Sequence, residues 1–255
     1  MFFKSILMIH NIKLTIAYLG TSFVGWQKTK MGPSIEGILE KILHQILQHE
    51  VKLQAASRTD AGVHAEGQVV NFTTQKALCL KTLQHRLNRM LPKEISVSNT
   101  EQMPNDFHPT LSCLKKEYWY ELCHGTPQMP FVRHISWHFP YSLNVDQMKK
   151  AAEHLTGTYD FSSFCNDRAL WDRDPVCCVE KIEILTQPEK KRLKMRIIGD
   201  HFLYKMVRNI AGTLAYVGCG KIQADQIPII LASRDRTLAG VTAPAHGLIL
   251  KRVFY

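Results

Sequence analysis

The spacing of apolar residues alternates along the chain between the repeat of a strand and the repeat of a helix. Every second residue from Ile12 to Tyr18 is apolar, which predicts a strand with one face on a core. Residues 35–47 instead place apolar side chains on one helical stripe behind Ser34, a candidate N-cap. Since no repeat or low-complexity linker interrupts this alternation, we expect an α+β fold on a largely antiparallel sheet.

The same two patterns predict the other elements. Strands are predicted at 69–72, 95–101, 117–123, 179–185, 192–198 and 248–254, and helices at 78–91, 145–156, 202–217 and 224–232. A chain of 255 residues with 45% hydrophobic residues can bury enough surface for one large domain or two closely packed halves.

The net charge indicates which classes of partner the chain can bind, and the cysteine content indicates in which cellular compartment it works. The chain carries 32 Lys and Arg against 22 Asp and Glu, a net charge of +10, which favours nucleic acid first and a membrane surface second. Apolar runs such as Ile6–Ile9 are too short for a signal peptide or a membrane span, and either Met1 or Met8 is the start. Seven cysteines without C-x-x-C predict reduced, mostly buried thiols in a cytoplasmic protein.

Residues 57–66 hold an Arg and an Asp two positions apart, in a glycine-containing turn just before a strand. Asp60 either shapes a turn with Ala61 and Gly62 or carries chemistry on a loop held by rigid elements. His64-Ala65-Glu66 matches half of the zinc deaminase signature, which also requires P-C-x-x-C. The adjacent thiols of Pro175-Val176-Cys177-Cys178 have the wrong spacing, so a deaminase is disfavoured.

Six blocks in order resemble the tRNA pseudouridine synthase A family, from about residue 12 to the C-terminus. Ser57-Arg58-Thr59-Asp60-Ala61-Gly62-Val63-His64-Ala65 resembles the family's G-R-T-D-x-G-V-H-A signature. The other blocks are FVGWQ (23–27), KEYWY (116–120), DFSSF (160–164), FLYKMVRNI (202–210) and APAHGL (243–248). The resemblance implies conversion of uridine to pseudouridine at positions 38 to 40 of the tRNA anticodon stem-loop, without metal or organic cofactor.

The resemblance also implies a pseudouridine synthase fold and a homodimer without membrane contact. Two ferredoxin-like α+β halves would share a central, mainly antiparallel sheet flanked by helices. We place the N-terminal half, with the Arg-Thr-Asp loop, at 1–110 and the C-terminal half at 111–255, packed as one catalytic unit. A tRNA-binding protein without turnover is the alternative.

The resemblance assigns site residues one by one. Asp60 would be the catalytic carboxylate, attacking either the sugar or the ring, and Arg208 would keep it ionised. Arg58 is the second candidate for that pairing, or helps to hold the target base out of its helix. Tyr118 would stack on the uracil and Leu248 would lie beneath it.

The residue patterns are also compatible with purely structural roles at several of these positions. Arg208 shares a helix face with small residues, which predicts a closely packed second face, although a solvated face is also compatible. Tyr120 lies on the same strand face as Tyr118 and is interpreted as core, and a lone Leu248 would also be core. The candidates for RNA backbone contact are the stripe of Lys81, His85 and Arg89, then Lys115, Lys116 and the 190–196 cluster.

The chain departs from the family pattern at a few positions without losing a catalytic group. Leu19 replaces an acid, Ser57 a glycine, Thr110 and Cys177 arginines, and Tyr204-Lys205 a His-His pair. The changes at 110 and 177 bear on tRNA contact.

Overall fold

A computed structural model describes residues 8–166 and 174–255, and the chain divides into two compact units. The first comprises the residues up to Cys113 together with Tyr255, and the second runs from Leu114 to Phe254. Both units combine helices with antiparallel strands, which confirms the predicted α+β class.

The first unit packs two helices against a small antiparallel sheet. Its elements are β1 (His10–Tyr18), α1 (Ile35–Leu47), β2 (Gln54–Ala55), β3 (His64–Thr74), α2 (Leu80–Met90) and β4 (Ile95–Met103). The strand order is β4-β1-β3-β2, with Leu14 opposite Val70 on β3 and Thr100 on β4. The predicted alternation in β1 is confirmed, since Leu14 and Ile16 are fully buried. The Ser34 hydroxyl accepts a hydrogen bond from the Gly37 N–H, as expected of an N-cap.

The second unit is larger and carries three helices in its described part. Its elements are β5 (Lys115–His124), β6 (Trp137–Phe139), α3 (Val145–His154), β7 (Gly157–Asp160), β8 (Val176–Gln187), β9 (Arg192–Gly199), α4 (Met206–Gly218), α5 (Ile227–Ser233) and β10 (Leu248–Phe254). The antiparallel order is β10-β5-β9-β8-β7, and β6 pairs with β5 in parallel. Almost every residue of α4 is buried, so this helix forms the centre of the unit's core.

Two predicted helices begin at least three residues later in the structure than the sequence indicated. The helix predicted from 202 begins at Met206, because Lys205 has a left-handed backbone with φ of 60°. The helix predicted from 224 opens with a short 3-10 turn, and α5 begins at Ile227 beside Pro228, which cannot continue a preceding turn. The short strands β2, β6 and β7 were not predicted, since two to four residues carry too little periodicity.

All seven cysteines are reduced, as predicted. The prediction that most of them are buried is wrong, because only Cys123, Cys165 and Cys177 are. Within the described ranges, no helix is long and apolar enough to cross a membrane.

Candidate active site

The Arg-Thr-Asp loop of the first unit connects β2 to β3 and is held through its own backbone. The Trp26 N–H donates to the Thr59 carbonyl at 3.0 Å, and the Val63 N–H donates to the Asp60 carbonyl at 3.1 Å. Arg58 is exposed, Thr59 is buried and Asp60 is half-buried. The loop therefore presents Arg58 and Asp60 while Thr59 anchors it.

Gly25 explains why the loop can lie so close to the preceding segment. Its φ of 105° is a backbone conformation that other residues rarely adopt. A Cβ at this position would lie 2.9 Å from the Thr59 carbonyl oxygen and 3.0 Å from the Ala61 nitrogen. The glycine of the 23–27 block thus permits contact with the backbone around Asp60.

Two buried polar side chains complete the support of the loop. The Tyr18 hydroxyl lies 2.7 Å from Thr59 Oγ1, and the Gln68 amide donates to the Ser57 carbonyl at 2.6 Å. Gln68 also accepts from the Ser57 N–H at 3.3 Å. Neither residue was predicted as part of the site, although a glutamine within the apolar pattern of β3 was a usable signal.

His64 has a structural contact that weakens the deaminase alternative. Its Nδ1 accepts the Gly20 N–H at 2.9 Å, and the ring is buried. The thiols of Cys177 and Cys178 occupy successive positions of β8, whose side chains alternate between faces, and only Cys177 is buried. Among the described residues, no group of three His, Cys, Asp or Glu side chains is arranged to hold a metal ion.

Tyr118 and Tyr120 project from the same face of β5 in the second unit. Tyr118 is buried, and its ring meets the edge of Phe202 with centroids 5.2 Å apart. Tyr120 is fully buried, and its hydroxyl donates to the Pro244 carbonyl at 2.8 Å, which confirms its interpretation as core. Burial raises the pKa of Tyr120 well above its ordinary value, and the charge of Arg208 opposes that rise.

Leu248 opens β10 directly opposite Tyr120 and is buried. The chain before it packs closely on the same tyrosine, because a Cβ on Gly247 would lie 2.6 Å from Tyr120 Cζ. The 243–248 block therefore wraps around Tyr120 and positions Leu248 in the strand beside it.

Arg208 lies in the first turn of α4 and joins that helix to the segment before β10. Its Nε donates to the Ala243 carbonyl at 2.8 Å, and its own carbonyl accepts the Ala243 N–H at 3.1 Å. A Cβ on Gly212 would lie 1.7 Å from the Val241 carbonyl oxygen, so only glycine permits this approach. The predicted closely packed second face of the helix is confirmed.

A second arginine, which the sequence analysis missed, anchors the same segment. Arg236 donates to Asn209 Oδ1 at 2.8 Å, to the Gly240 carbonyl at 2.8 Å and to Thr242 Oγ1 at 3.0 Å. Burial lowers the pKa of Arg236 from its ordinary value. We call residues 236–243 the strap, since these bonds tie them along α4.

The predicted site residues are thus divided between the two units. Asp60 and Arg58 belong to the first, whereas Tyr118, Arg208 and Leu248 belong to the second. The second-unit residues gather around Tyr120, through strand pairing for Leu248 and through charge for Arg208.

The predicted RNA-contacting clusters differ in how their charge is balanced. Lys81, His85 and Arg89 are all exposed along α2, as the helical stripe predicted. Lys115 instead forms an ion pair with Glu180 at 2.8 Å.

The 190–196 cluster is largely paired with acids on neighbouring strands. Arg196 lies 2.7 Å from Glu117, and Lys194 lies 3.0 Å from Glu121 and over the Trp119 ring at 3.9 Å. Arg192 also pairs with Glu121, at 3.3 Å. The cluster has less net positive charge than its sequence indicated.

Two departures from the family pattern have structural roles. Thr110 is exposed and donates to the Ala55 carbonyl at 2.8 Å. Cys177 is buried beside His201, with Sγ 3.4 Å from Nε2, and burial raises the pKa of its thiol to about 12. Cys177 is therefore part of the core of the second unit.

Comparison with known proteins establishes the class to which this fold and these motifs belong. A family model described as tRNA pseudouridine synthase matches residues 14–110 and 151–255. The chain belongs to this family, as its sequence blocks predicted, and is an isomerase that forms pseudouridine in tRNA.

Individual relatives place it among the enzymes called tRNA pseudouridine synthase A. One of them, "tRNA pseudouridine synthase A 2" of Protochlamydia amoebophila (strain UWE25), is 51% identical over 251 residues, which are 97% of this chain and 95% of the relative. "tRNA pseudouridine synthase A" of Bacillus pumilus (strain SAFR-032) is 40% identical over 247 residues, covering 96% of this chain and 99% of the relative.

Proposed function

We propose that this enzyme converts uridine to pseudouridine at positions 38 to 40 of the tRNA anticodon stem-loop, with Asp60 as its nucleophile. The observation that carries the proposal is the construction of the Arg-Thr-Asp loop. Contacts from Trp26, Tyr18 and Gln68 hold Ser57 and Thr59 before Asp60, and the Val63 N–H donates to the Asp60 carbonyl. The Asp60 carboxylate is left half-buried. Such support is expected for a group that must meet its substrate in one orientation.

The reaction rearranges one nucleotide and needs neither an oxidant nor a second substrate. The N1–C1′ bond breaks and a C5–C1′ bond forms, while C5 loses a proton and N1 gains one. A carboxylate can attack C1′ of the sugar and be displaced when C5 bonds to C1′, or it can add to the uracil ring and be eliminated from it after the C5–C1′ bond has formed. Asp60 fulfils this requirement by either route.

We propose that residues of the second unit assist Asp60 in the reaction. Arg208 would supply a positive charge that favours the Asp60 carboxylate as water is excluded. Tyr118 would stack on the uracil and Leu248 would contact its other face. The strap supports this role for Arg208, since its Nε bond to Ala243 fixes the guanidinium relative to β10.

Exposed Arg58 is proposed to hold the target base outside its helix. A stacked base cannot reach a side chain on a protein loop, so it must first leave the stack. Arg58 is only two residues from Asp60. The position in the stack that the target base leaves would therefore lie close to the reacting nucleotide.

The decisive experiment replaces the nucleophile and maps the product. Asp60→Ala should abolish pseudouridine formation on unmodified tRNA while its Kd stays within severalfold of wild type. Asp106→Ala, which removes an exposed carboxylate from the same unit, should retain turnover. Mapping at single-nucleotide resolution should place the wild-type product at positions 38 to 40. Turnover by Asp60→Ala would refute the assignment, and a wild-type protein that binds tRNA without turnover would favour the non-catalytic alternative.

We also propose that the enzyme is a cytoplasmic homodimer whose two subunits bind one tRNA. The net charge of +10 supports binding to a polyanion, and the family resemblance supports the dimer. Sedimentation of the purified protein should give twice the chain mass, and a monomeric mass at working concentration would contradict the dimer.

A further inference from the structure

The connection between β5 and β6 exposes an aromatic side chain at its tip. Phe131 is 95% exposed and Met129 is 44% exposed, in a segment that no sequence motif singled out. Burying a Phe side chain is favourable, so leaving one in water forgoes much stabilisation. An exposed aromatic at a loop tip is therefore a candidate contact for another molecule.

Backbone and side-chain bonds hold this tip in a defined conformation. The Ile135 N–H donates to the Val132 carbonyl at 3.0 Å, and the Ser136 hydroxyl donates to the same carbonyl at 2.8 Å. At the base of the loop, His138 Nε2 lies 2.8 Å from the Gly125 carbonyl oxygen. Phe131 is thus presented by an ordered turn.

The base of the loop is continuous with the site residues of the second unit. The Trp137 ring meets Tyr120 edge-on with centroids 6.3 Å apart, and Tyr120 is the strand neighbour of Leu248. His246, in the block that wraps Tyr120, is hydrogen-bonded to the Ser136 backbone and interacts electrostatically with His134 and Arg208. The base of the loop that carries the tip therefore adjoins the second-unit residues of the proposed site.

The chemistry of the loop favours nucleic acid over protein as the occupant. Residues 124–139 contain no Asp or Glu, and Arg133 and His134 beside the tip are exposed. An aromatic face beside an exposed arginine is an arrangement on which a single-stranded base stacks while the cation meets a phosphate.

We propose that Phe131 stacks on an unpaired base of the tRNA anticodon loop beside the target nucleotide, with Arg133 contacting the adjacent phosphate. This inference rests on the proposed function, because it takes the anticodon loop as the substrate. Stacking would hold the loop while the target uridine leaves its own stack. Phe131 is thus a substrate-binding residue that makes no contact with the reacting atoms.

The test compares four variants for the Kd of unmodified tRNA and for kcat and KM. Phe131→Ala should raise Kd and KM about tenfold or more, as expected from the loss of one base–aromatic stack, with kcat within severalfold of wild type. Phe131→Trp should restore affinity, whereas Phe131→Leu, apolar but without a π face, should not. Ile229→Ala is the matched control, since it truncates another exposed apolar side chain of this unit, 65% exposed, and should bind as wild type.

Each alternative result has a distinct meaning. Unchanged tRNA affinity in Phe131→Ala, with wild-type product at positions 38 to 40, overturns the stacking contact and leaves the proposed function standing. Wild-type product elsewhere, or turnover by Asp60→Ala, refutes the proposed function and with it the anticodon-loop contact. If Phe131→Ala weakens tRNA binding only together with a fall in sedimenting mass, the tip contacts a second copy of the chain and the stacking proposal is wrong.

Discussion

Single residues around Thr59 determine where Asp60 can lie. Gly25 lets the chain approach the loop backbone, and Tyr18 and Gln68 satisfy polar groups that the approach buries. None of these residues contacts a substrate in the proposed mechanism. Each acts on Asp60 through the backbone, so their substitution should affect turnover without removing a catalytic group.

Substituting Gly25 should distort the Arg-Thr-Asp loop. Gly25→Ala combines an unfavourable φ with backbone atoms 2.9 Å from the new Cβ, so we expect a loss of about 1–3 kcal/mol of unfolding free energy and a large fall in turnover. Gly220→Ala is the matched control. It has a φ of 79° and no atom within 4 Å of the Cβ, so stability should fall while turnover is retained. Urea unfolding measures the stability of each variant, and a pseudouridine assay measures its turnover. Normal turnover by Gly25→Ala would contradict the loop's proposed rigidity.

His246 should make stability depend on pH. Burial, with added repulsion from His134 and Arg208, lowers its pKa below the ordinary 6.5 despite a hydrogen bond to Ser136. The contribution of His246 to the free energy of unfolding is therefore fully present above pH 6.5, and it is lost as the pH falls through the folded-state pKa. The free energy of unfolding should fall less between about pH 7.5 and 5.5 in His246→Gln than in wild type.

The control for this pH effect is His85→Gln on the exposed face of α2, which should retain the wild-type decline. Parallel curves of unfolding free energy against pH for wild type and His246→Gln would show that His246 does not contribute to the pH dependence of stability.

At the scale of elements, α4 and the strap act together. The sequence predicted the helix and its small-residue face, but it predicted a start at 202 and gave no indication of the strap. Lys205 has a left-handed backbone, so α4 starts only at Met206, and Phe202 lies outside the helix, where its ring meets Tyr118. The strap depends on Arg236, whose acceptors come from α4 and from the strap itself.

Arg236 should act as a positioning residue for Arg208. Arg236→Lys keeps the charge but loses the fork of donors, so we expect a loss of about 1–3 kcal/mol of stability. Because the strap carries the carbonyl that orients Arg208, kcat should fall while KM stays within severalfold. Arg234→Lys alters an exposed ion pair with Asp160 and should change stability by less than about 1 kcal/mol. A proportionate rise in KM with kcat intact would contradict the positioning role.

At the scale of the whole molecule, the net charge of +10 should govern tRNA affinity more than any single contact. The charges are not equivalent, however. The stripe on α2 is exposed, whereas the strand cations of the second unit are paired with Glu117 and Glu121. Sequence composition counts both sets equally, and only the fold distinguishes them.

This difference predicts unequal effects on the salt dependence of binding. Lys81→Ala should reduce the slope of log Kd against log salt by about one, as expected for one lost phosphate contact. Lys194→Ala removes the same formal charge but a paired one, and it should leave the slope nearly unchanged. Kd measurements across a salt series test this, and equal slopes for the two variants would contradict the assignment.

The α+β class, most strands and helices, and the family can all be predicted from the amino-acid sequence alone. These depend on local periodicity and on contiguous motifs such as residues 57–65, which need no long-range contact to be read. Tertiary structure decided the support of Thr59 by Tyr18, the anchoring of the strap by Arg236, the pairing of the strand cations and the exposure of Phe131. The physical reason is that burial and hydrogen-bond partners depend on residues distant in the chain, and their spacing in the sequence does not encode those distances.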